Sequence, residues 1–137
     1  MIQDGQKKLD TAKYFLNKAK ARLDSRRGLV RACREINASL NRSMEAWLLK
    51  YEYTPDFGNG WHSMRVQFYE ASPDNLRLKV SDCLSEVTSL QFHLESNLDS
   101  NEGVYISIEQ WKEKTYACLK EVEEFVRVIE KDILNDS

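Results

Sequence analysis

Apolar residues recur along this chain at alternating steps of three and four positions. The clearest series lies between Leu29 and Tyr51 and consists of Leu29, Cys33, Ile36, Leu40, Met44, Trp47 and Tyr51. With about 3.6 residues per turn, this spacing places the series on one side of a helix of roughly six turns. A strand would instead alternate every second residue. The pattern therefore predicts an amphipathic helix with one face buried.

Three further segments repeat the pattern. A first helix is predicted from about Gln3 to Leu23, with Leu9, Ala12, Leu16, Ala19 and Leu23 on its apolar side. A later helix has Leu76, Val80, Cys83, Val87, Leu90 and Leu94 on its apolar side. The last carries Trp111, Thr115, Cys118, Val122, Phe125 and Ile129, widened by Leu119, Val126 and Ile133. The wider stripe predicts that this last helix contacts more than one neighbour.

Polar and helix-breaking residues separate these segments. Asp24 or Ser25 is expected to cap the second helix, because a short side-chain oxygen accepts from free first-turn amides. That helix should end near Glu52, ahead of a loop with Pro55 at its centre. The residues from Trp61 onward predict a short helix of two or three turns.

The C-terminal third has two boundary signals. Residues 95–103 are polar and are expected to form a surface loop. Ser107 followed three residues later by Gln110 is the capping-box pattern that precedes a helix. The aromatic residues Trp47, Tyr51, Trp61 and Phe68 have helical spacing and are predicted to lie in the core.

These segments predict an all-α protein with no strand. The expected architecture is an up-and-down antiparallel four-helix bundle with one additional short helix, since a short connection makes consecutive helices antiparallel. At 137 residues the chain is expected to be a single domain, 1–137. An apolar fraction of 42% and a charged fraction of 31% are typical of a soluble globular protein.

Charge and cysteine content exclude several classes of function. The net charge of -2 provides no overall field to steer the chain onto nucleic acid or an anionic membrane, so any basic function must be local. The start resembles no signal peptide and no run is long enough to span a membrane, which favours a cytoplasmic protein. Cys33, Cys83 and Cys118 fall on apolar stripes and are expected to be buried reduced thiols. No metal or cofactor motif occurs.

The most suggestive group is a cluster of five arginines around the turn between the first two helices. Its members are Arg22, Arg26, Arg27, Arg31 and Arg34. Arginine binds phosphate through two parallel hydrogen bonds, and a helix N-terminus adds free amides and a favourable dipole. The cluster is a candidate site for a phosphate, a nucleotide or an RNA backbone. The alternative is a solvated turn whose arginines pair with acidic neighbours such as Asp24 and Glu35.

A second candidate site is the loop after the second helix. Tyr53, Phe57 and His62 could be exposed there and contact a partner protein, because aromatic residues are enriched at interfaces. His62 and His93 are the only histidines. No carboxylate or serine partner can be assigned to His62, and His93 lies beside Leu94 at the edge of an apolar face. No catalytic residue is therefore predicted, and the chain is not expected to be an enzyme.

The layout of the helices resembles the HEPN superfamily of small prokaryotic helical domains. The segment AKYFLNKAKARL is similar to the first helix of that family, RACREINASLNRSMEAWLLKYEYTP to its long second helix and WKEKTYACLKEVEEFVRVIEKDIL to its closing helix. Active members cut RNA with an arginine and a histidine that are separated by four to six residues. That motif is missing, since Pro55, Asp56 and Phe57 precede His62 and Glu86, Val87 and Thr88 precede His93.

The resemblance thus implies a non-catalytic member. Such members are typically homodimers that bind a nucleotide or RNA or accompany a nucleotidyltransferase-type protein partner. Two main functions are therefore carried forward, with an enzyme of unfamiliar type as a third alternative. The first is binding of one of these ligands through the arginine cluster. The second is a helical interaction or assembly module without a nucleic-acid role, using either the wide stripe of the last helix or the aromatic loop.

Overall fold

The structure is a computed structural model that describes residues 2–99 and 107–134. Its regular elements are α1 (Ile2–Lys20), α2 (Arg26–Lys50), α3 (Trp61–Ala71), α4 (Asp74–Asp99) and α5 (Ile108–Leu134). No strand occurs within the described residues, so the all-α prediction is confirmed. The three turns of α3 match the predicted short helix.

The central helix is α2, which packs against each of the other four. Its predicted apolar face is buried from Leu29 to Trp47, and Tyr51 at the end is half-buried. The predicted apolar positions of α1, α4 and α5 are buried as well. Burial of one large apolar side chain contributes roughly 1.5–3 kcal/mol, so these stripes dominate the stability of the fold.

The wide stripe of α5 is also part of the core. Leu119, Val126 and Ile133 are at most 3% exposed. Helix α5 packs against α1, α2 and α4, which confirms the prediction of several neighbours. Because these side chains are buried within the chain, the α5 stripe cannot be the docking surface of an assembly module.

Both predicted helix caps are present. The Ser25 Oγ accepts a hydrogen bond from the Gly28 amide at 3.0 Å, so Ser25 rather than Asp24 caps α2. At the start of α5, the Ser107 Oγ accepts from the Gln110 amide at 3.2 Å, and the Gln110 Oε1 accepts from the Ser107 amide at 3.0 Å. This reciprocal pair is the predicted capping box.

Helix α2 ends two residues earlier than predicted, in a Schellman motif. Glu52 adopts the left-handed region with φ 66°. Its amide donates to the Leu49 carbonyl at 3.2 Å, and the Tyr53 amide donates to the Leu48 carbonyl at 2.9 Å. These two bonds satisfy carbonyls that the helical ladder leaves open. The motif turns the chain sharply into the loop that carries Tyr53 and Phe57.

Three sequence predictions need correction. Trp61 is exposed rather than buried, because it is the first residue of α3 and only Met64 and Phe68 of that helix enter the core. Helix α1 ends at Lys20, before Leu23. Helix α4 continues to Asp99, so the predicted loop at 95–103 is wrong for residues 95–99, and its remainder lies outside the described residues. Polarity there indicated solvent exposure, which a helix also permits.

Candidate functional site

The structure divides the arginine cluster into paired and unpaired members. The Arg22 Nε lies 2.6 Å from the Glu35 Oε1. The Arg34 Nη2 lies 3.0 Å from the Glu95 Oε1. The other three, Arg26, Arg27 and Arg31, are exposed, and no carboxylate of the described residues lies within 4.0 Å of them. We call these three the arginine trio.

Two members of the trio line an open pocket at the N-terminus of α2. The pocket has a volume of about 410 Å³ and is lined by Ala21, Arg22, Asp24, Ser25, Arg27, Gly28 and Arg31. The first amides of a helix have no intrahelical partner, and the helix dipole favours an anion at this end. The pocket therefore combines guanidinium groups with backbone donors, which is the chemistry that binds phosphate.

The pocket also contains one acidic residue, Asp24, which forms an exposed ion pair with a lysine of α5. The Lys112 Nζ on α5 lies 2.9 Å from the Asp24 Oδ1. That hydrogen bond and the charge of Asp24 raise the pKa of Lys112 above its ordinary value. The predicted pairing of the cluster with acidic neighbours is thus confirmed for Arg22 and Glu35, whereas Asp24 pairs with a lysine.

The tight contact between the turn after α1 and the first turn of α2 depends on Gly28. A Cβ added there would lie 2.0 Å from the Arg22 carbonyl oxygen and 2.9 Å from the Ser25 Oγ. Because real Cβ atoms do not approach backbone oxygens so closely, glycine is required at this position. The turn can therefore rest directly on the first turn of α2, which brings Arg22 to the pocket.

A further guanidinium, which sequence reasoning missed, contacts the middle of α2. The Arg65 Nε donates to the Asn41 Oδ1 at 2.8 Å, and its Nη2 donates to the Asn37 Oδ1 at 2.9 Å. Burial lowers the pKa of Arg65 below its ordinary value. Both acceptors are neutral amides, so the positive charge of Arg65 is hydrogen-bonded without being cancelled.

The second candidate site, Tyr53, Phe57 and His62, is exposed as predicted. The Tyr53 ring stacks on Trp47 with centroids 6.2 Å apart, whereas Phe57 packs edge-on against Trp61 at 5.2 Å. His62 is exposed at the start of α3. Tyr53 and Phe57 therefore pack against different tryptophans, of which Trp47 is buried and Trp61 is exposed.

Side chains from α5 and α3 hold the end of α2 and the loop that follows it. The Asp132 Oδ2 of α5 accepts from the Trp47 Nε1 and from the Tyr51 hydroxyl at the end of α2, each at 2.8 Å. The Gln67 side chain accepts from the Asp56 amide at 2.8 Å and donates to the Thr54 carbonyl at 3.0 Å. The bonds of Gln67 thus fix the backbone of the loop between Tyr53 and Phe57.

The cysteines provide no nucleophile. Cys33, Cys83 and Cys118 are free and buried, as predicted. Burial raises the pKa of Cys33 and of Cys83 to about 12, and it raises the pKa of Cys118 as well. A thiol must ionise to act as a nucleophile, so these three are inert core residues at neutral pH.

Side chains that could chelate a metal ion together are absent from residues 2–99 and 107–134, where no three of His, Cys, Asp or Glu are suitably placed. Within the same residues, no helix combines the length and apolar character needed to cross a membrane.

An acidic pair joins α4 to α5 on another side of the molecule. Glu86 and Glu121 share a hydrogen bond in a hollow of about 410 Å³ that Lys79, Asp82 and Glu124 also line. This hydrogen bond, with partial desolvation and the negative charges of Glu121 and Asp82, raises the pKa of Glu86 to about 7. Two carboxylates can share a bond only while one of them retains a proton.

The contact between α4 and α5 should therefore weaken as pH rises. The pKa of Glu86 in the folded state lies above its ordinary value of 4.5, so its stabilising contribution is complete below pH 4.5 and lost as pH rises through 7. Glu86→Gln should keep the hydrogen bond without needing the proton. Because Glu86 is exposed, we expect wild type to lose only about 0.5–1 kcal/mol more than the variant between pH 5 and pH 8.

Urea denaturation at pH 5, 6, 7 and 8 measures this difference. Glu113→Gln is the matched control, because Glu113 is an exposed carboxylate of α5 and its removal changes the net charge equally. The control should follow the pH dependence of wild type. Parallel curves for Glu86→Gln and wild type would show that no proton is shared.

Comparison of the chain with protein-family models, curated proteins and solved structures gives no match.

Proposed function

We propose that this chain is a non-catalytic helical bundle that binds a phosphate-bearing ligand, a nucleotide or RNA, at the turn between α1 and α2. The observation that carries the proposal is the unpaired state of the arginine trio beside the first turn of α2. Nearby acidic residues of the turn are engaged by other cations, as Glu35 is by Arg22 and Asp24 by Lys112. The trio is thus available to an anion from solution.

The proposal includes the bundle arrangement and the HEPN-like character. An up-and-down antiparallel order of α1, α2, α4 and α5 is supported by the short turn after α1 and by the packing of α2 against the other three. In this scheme α3 is the additional short helix. The resemblance to HEPN domains further implies a homodimer, and it adds a nucleotidyltransferase-type protein to the candidate partners.

The decisive variant is Arg26→Glu/Arg27→Glu/Arg31→Glu. We expect it to weaken binding of ATP and of a uridine oligonucleotide at least tenfold, because three attractive phosphate contacts become repulsive. Fluorescence anisotropy at several salt concentrations measures this. For a single strand, each phosphate contact contributes about 0.7 to the slope of log K against log salt, so the slope should also fall.

The control is Lys7→Glu/Lys114→Glu/Lys131→Glu. It produces the same change in net charge at three exposed lysines that do not line the pocket. Its binding should remain within about threefold of wild type, since only long-range electrostatics change. Equal loss in both variants would mean that binding follows net charge, and absence of binding to both probes by wild type would refute the proposal.

A second candidate function, an assembly module, is favoured by the exposed aromatic loop. Tyr53 is 41% exposed and Phe57 is 45% exposed, and the bonds of Gln67 fix the loop that carries them. The same arginine variant separates the two functions. Under the assembly function, wild type has no affinity for either probe, and its oligomeric mass in sedimentation equilibrium persists in the variant.

A further inference from the structure

The solvent side of α4 carries two large apolar side chains that are separated by serines. Leu78 is 65% exposed and Phe92 is 66% exposed, the highest values among the large apolar side chains that the structure describes. Ser81, Ser85 and Ser89 lie between them and are exposed as well. At 3.6 residues per turn, all five point within about 40° of one direction, opposite the buried stripe of the helix. We call these five residues the serine face of α4.

The serine face has no charge along its centre. The charged residues of the same stretch, Lys79, Asp82 and Glu86, lie about 60° or more from its direction. The exposed side of α5 is instead lined by charged residues, namely Glu109, Glu113, Lys114, Lys120, Glu121, Glu124, Arg127 and Lys131. Two large apolar side chains aligned on an uncharged face gain free energy when another molecule covers them. The face therefore has the character of a contact surface.

The five residues are arranged symmetrically about Ser85. Ser81 and Ser89 lie four positions from it, and Leu78 and Phe92 lie seven positions from it. When two antiparallel copies of α4 meet across a two-fold axis at Ser85, Leu78 of each copy lies opposite Phe92 of the other. Ser81 of each copy likewise lies opposite Ser89. Such self-complementarity is what a two-fold interface between identical subunits requires.

The side chains of this face suit close packing of two helices. Small serines at the centre permit the helix axes to approach to about 8 Å, the short end of the usual range. Leu78 and Phe92 would then cover each other at both ends of the contact and bury surface that is exposed in the single chain. Asp82, the charged residue nearest to the face, would lie opposite Thr88, so its charge meets a neutral side chain.

We propose that the serine face is the contact surface of a homodimer, in which α4 packs antiparallel against α4 of a second copy with Ser85 at the two-fold axis. This inference rests on the homodimer included in the proposed function and names its surface, but it is independent of phosphate binding. The face is about 21 Å long and one helix wide. A contact of this size buries well under the roughly 1,200 Å² of a stable complex, so the dimer should be weak, with a Kd of about 10–100 µM.

Sedimentation equilibrium from about 5 to about 500 µM tests the dimer and its surface. The mass of wild type should approach that of two chains at the upper end of this range. Ser85→Arg should weaken dimerisation at least tenfold, because two arginines would meet at the axis. Ala117→Arg is the matched control, since it adds the same charge at a small exposed residue of α5, and it should dimerise as wild type does.

A second variant removes the apolar ends of the face without adding charge. We expect Leu78→Ser/Phe92→Ser to weaken dimerisation at least tenfold, because the apolar surface buried between the copies is lost. Tyr14→Ser/Tyr116→Ser, which removes two exposed aromatic rings from α1 and α5, should leave dimerisation unchanged. Circular dichroism of each variant checks that the helices are retained.

Disulfide trapping tests the antiparallel arrangement. Mild oxidation with diamide should link Ser85→Cys into a covalent dimer, since the axis brings the two copies of residue 85 together. Ser89→Cys should not link with itself, because its two copies would lie about 12 Å apart along the helices, beyond the reach of a disulfide. A mixture of Ser81→Cys and Ser89→Cys should form the mixed link. The native cysteines do not compete, because all three are buried.

The outcomes separate this inference from the function on which it depends. Equal dimerisation by Ser85→Arg and wild type would overturn the serine face and leave a homodimer that uses another surface. Self-linking of Ser89→Cys as readily as Ser85→Cys would overturn the antiparallel pairing. A wild type that stays monomeric at the highest concentration would refute both the serine face and the homodimer, whereas phosphate binding is judged separately from the affinity for ATP.

Discussion

Phe125→Ala should lower the free energy of unfolding by about 3–5 kcal/mol, the largest loss we expect from one substitution in this chain. Phe125 is 1% exposed and packs edge-to-face against Phe68 of α3, with ring centroids 6.2 Å apart. Removing the ring loses the free energy gained from its burial and leaves a cavity where α5 meets α3. It also removes an aromatic contact between α5 and α3. Helix α3 otherwise packs mainly on α2.

Urea denaturation followed by circular dichroism at 222 nm measures this loss. Tyr116→Ala is the matched control, because Tyr116 lies on the same helix with 47% of its surface exposed. Its substitution should change stability by no more than about 0.5 kcal/mol. Similar losses for the two variants would show that the side of α5 assigned to the core is not buried in solution.

The core could be predicted from sequence because burial in a helix follows a local rule. Leu29, Ile36 and Leu40 share one side of α2 whatever that helix meets, so spacing alone places them. The same holds for the caps, where Ser25 and Ser107 bond to amides three residues away. Interactions this short in sequence require no knowledge of the fold.

Trp61 shows where that local rule fails. Helix α3 has only three turns, and its apolar residues occupy more than one side, with Met64 and Phe68 buried while Val66 is exposed. In so short a segment, spacing cannot decide which aromatic residue enters the core. The structure instead places Trp61 at the surface, where the guanidinium of Arg42 lies over its ring.

Which charged side chains of the candidate site form ion pairs depends on contacts between residues that are distant in sequence. Arg34 pairs with Glu95, which is 61 positions away, and Asp24 pairs with Lys112, which is 88 positions away. Sequence reasoning found the cluster but not which of its members remain unpaired. The Arg65 bonds to Asn37 and Asn41 were missed for the same reason, since α3 had to be docked on α2 before they could be seen.

Gly28→Ala is expected to destabilise the protein by about 2–3 kcal/mol, which reverses the usual sign of this substitution in a helix. Within a helix, alanine is ordinarily better than glycine by about 0.5–1 kcal/mol. Here the new Cβ would lie 2.0 Å from the Arg22 carbonyl oxygen, and a backbone atom cannot rotate away. The turn that carries Arg22 must shift from the first turn of α2, which would also displace Arg22 and open the pocket that Arg27 and Arg31 line.

Gly58→Ala is the matched control for this prediction. The nearest atom to a Cβ at Gly58 is the Asp56 Oδ1 at 3.2 Å, an exposed side-chain atom that accepts from the Gly58 amide and has to shift by only a few tenths of an ångström. We expect its unfolding free energy to stay within about 0.5 kcal/mol of wild type. If Gly28→Ala instead stabilises the protein, the turn after α1 does not meet α2 at the Arg22 carbonyl. If Gly28→Ala destabilises the protein while oligonucleotide binding is unchanged, the pocket at the α2 N-terminus is not the phosphate site, and the trio acts elsewhere on the surface of α2.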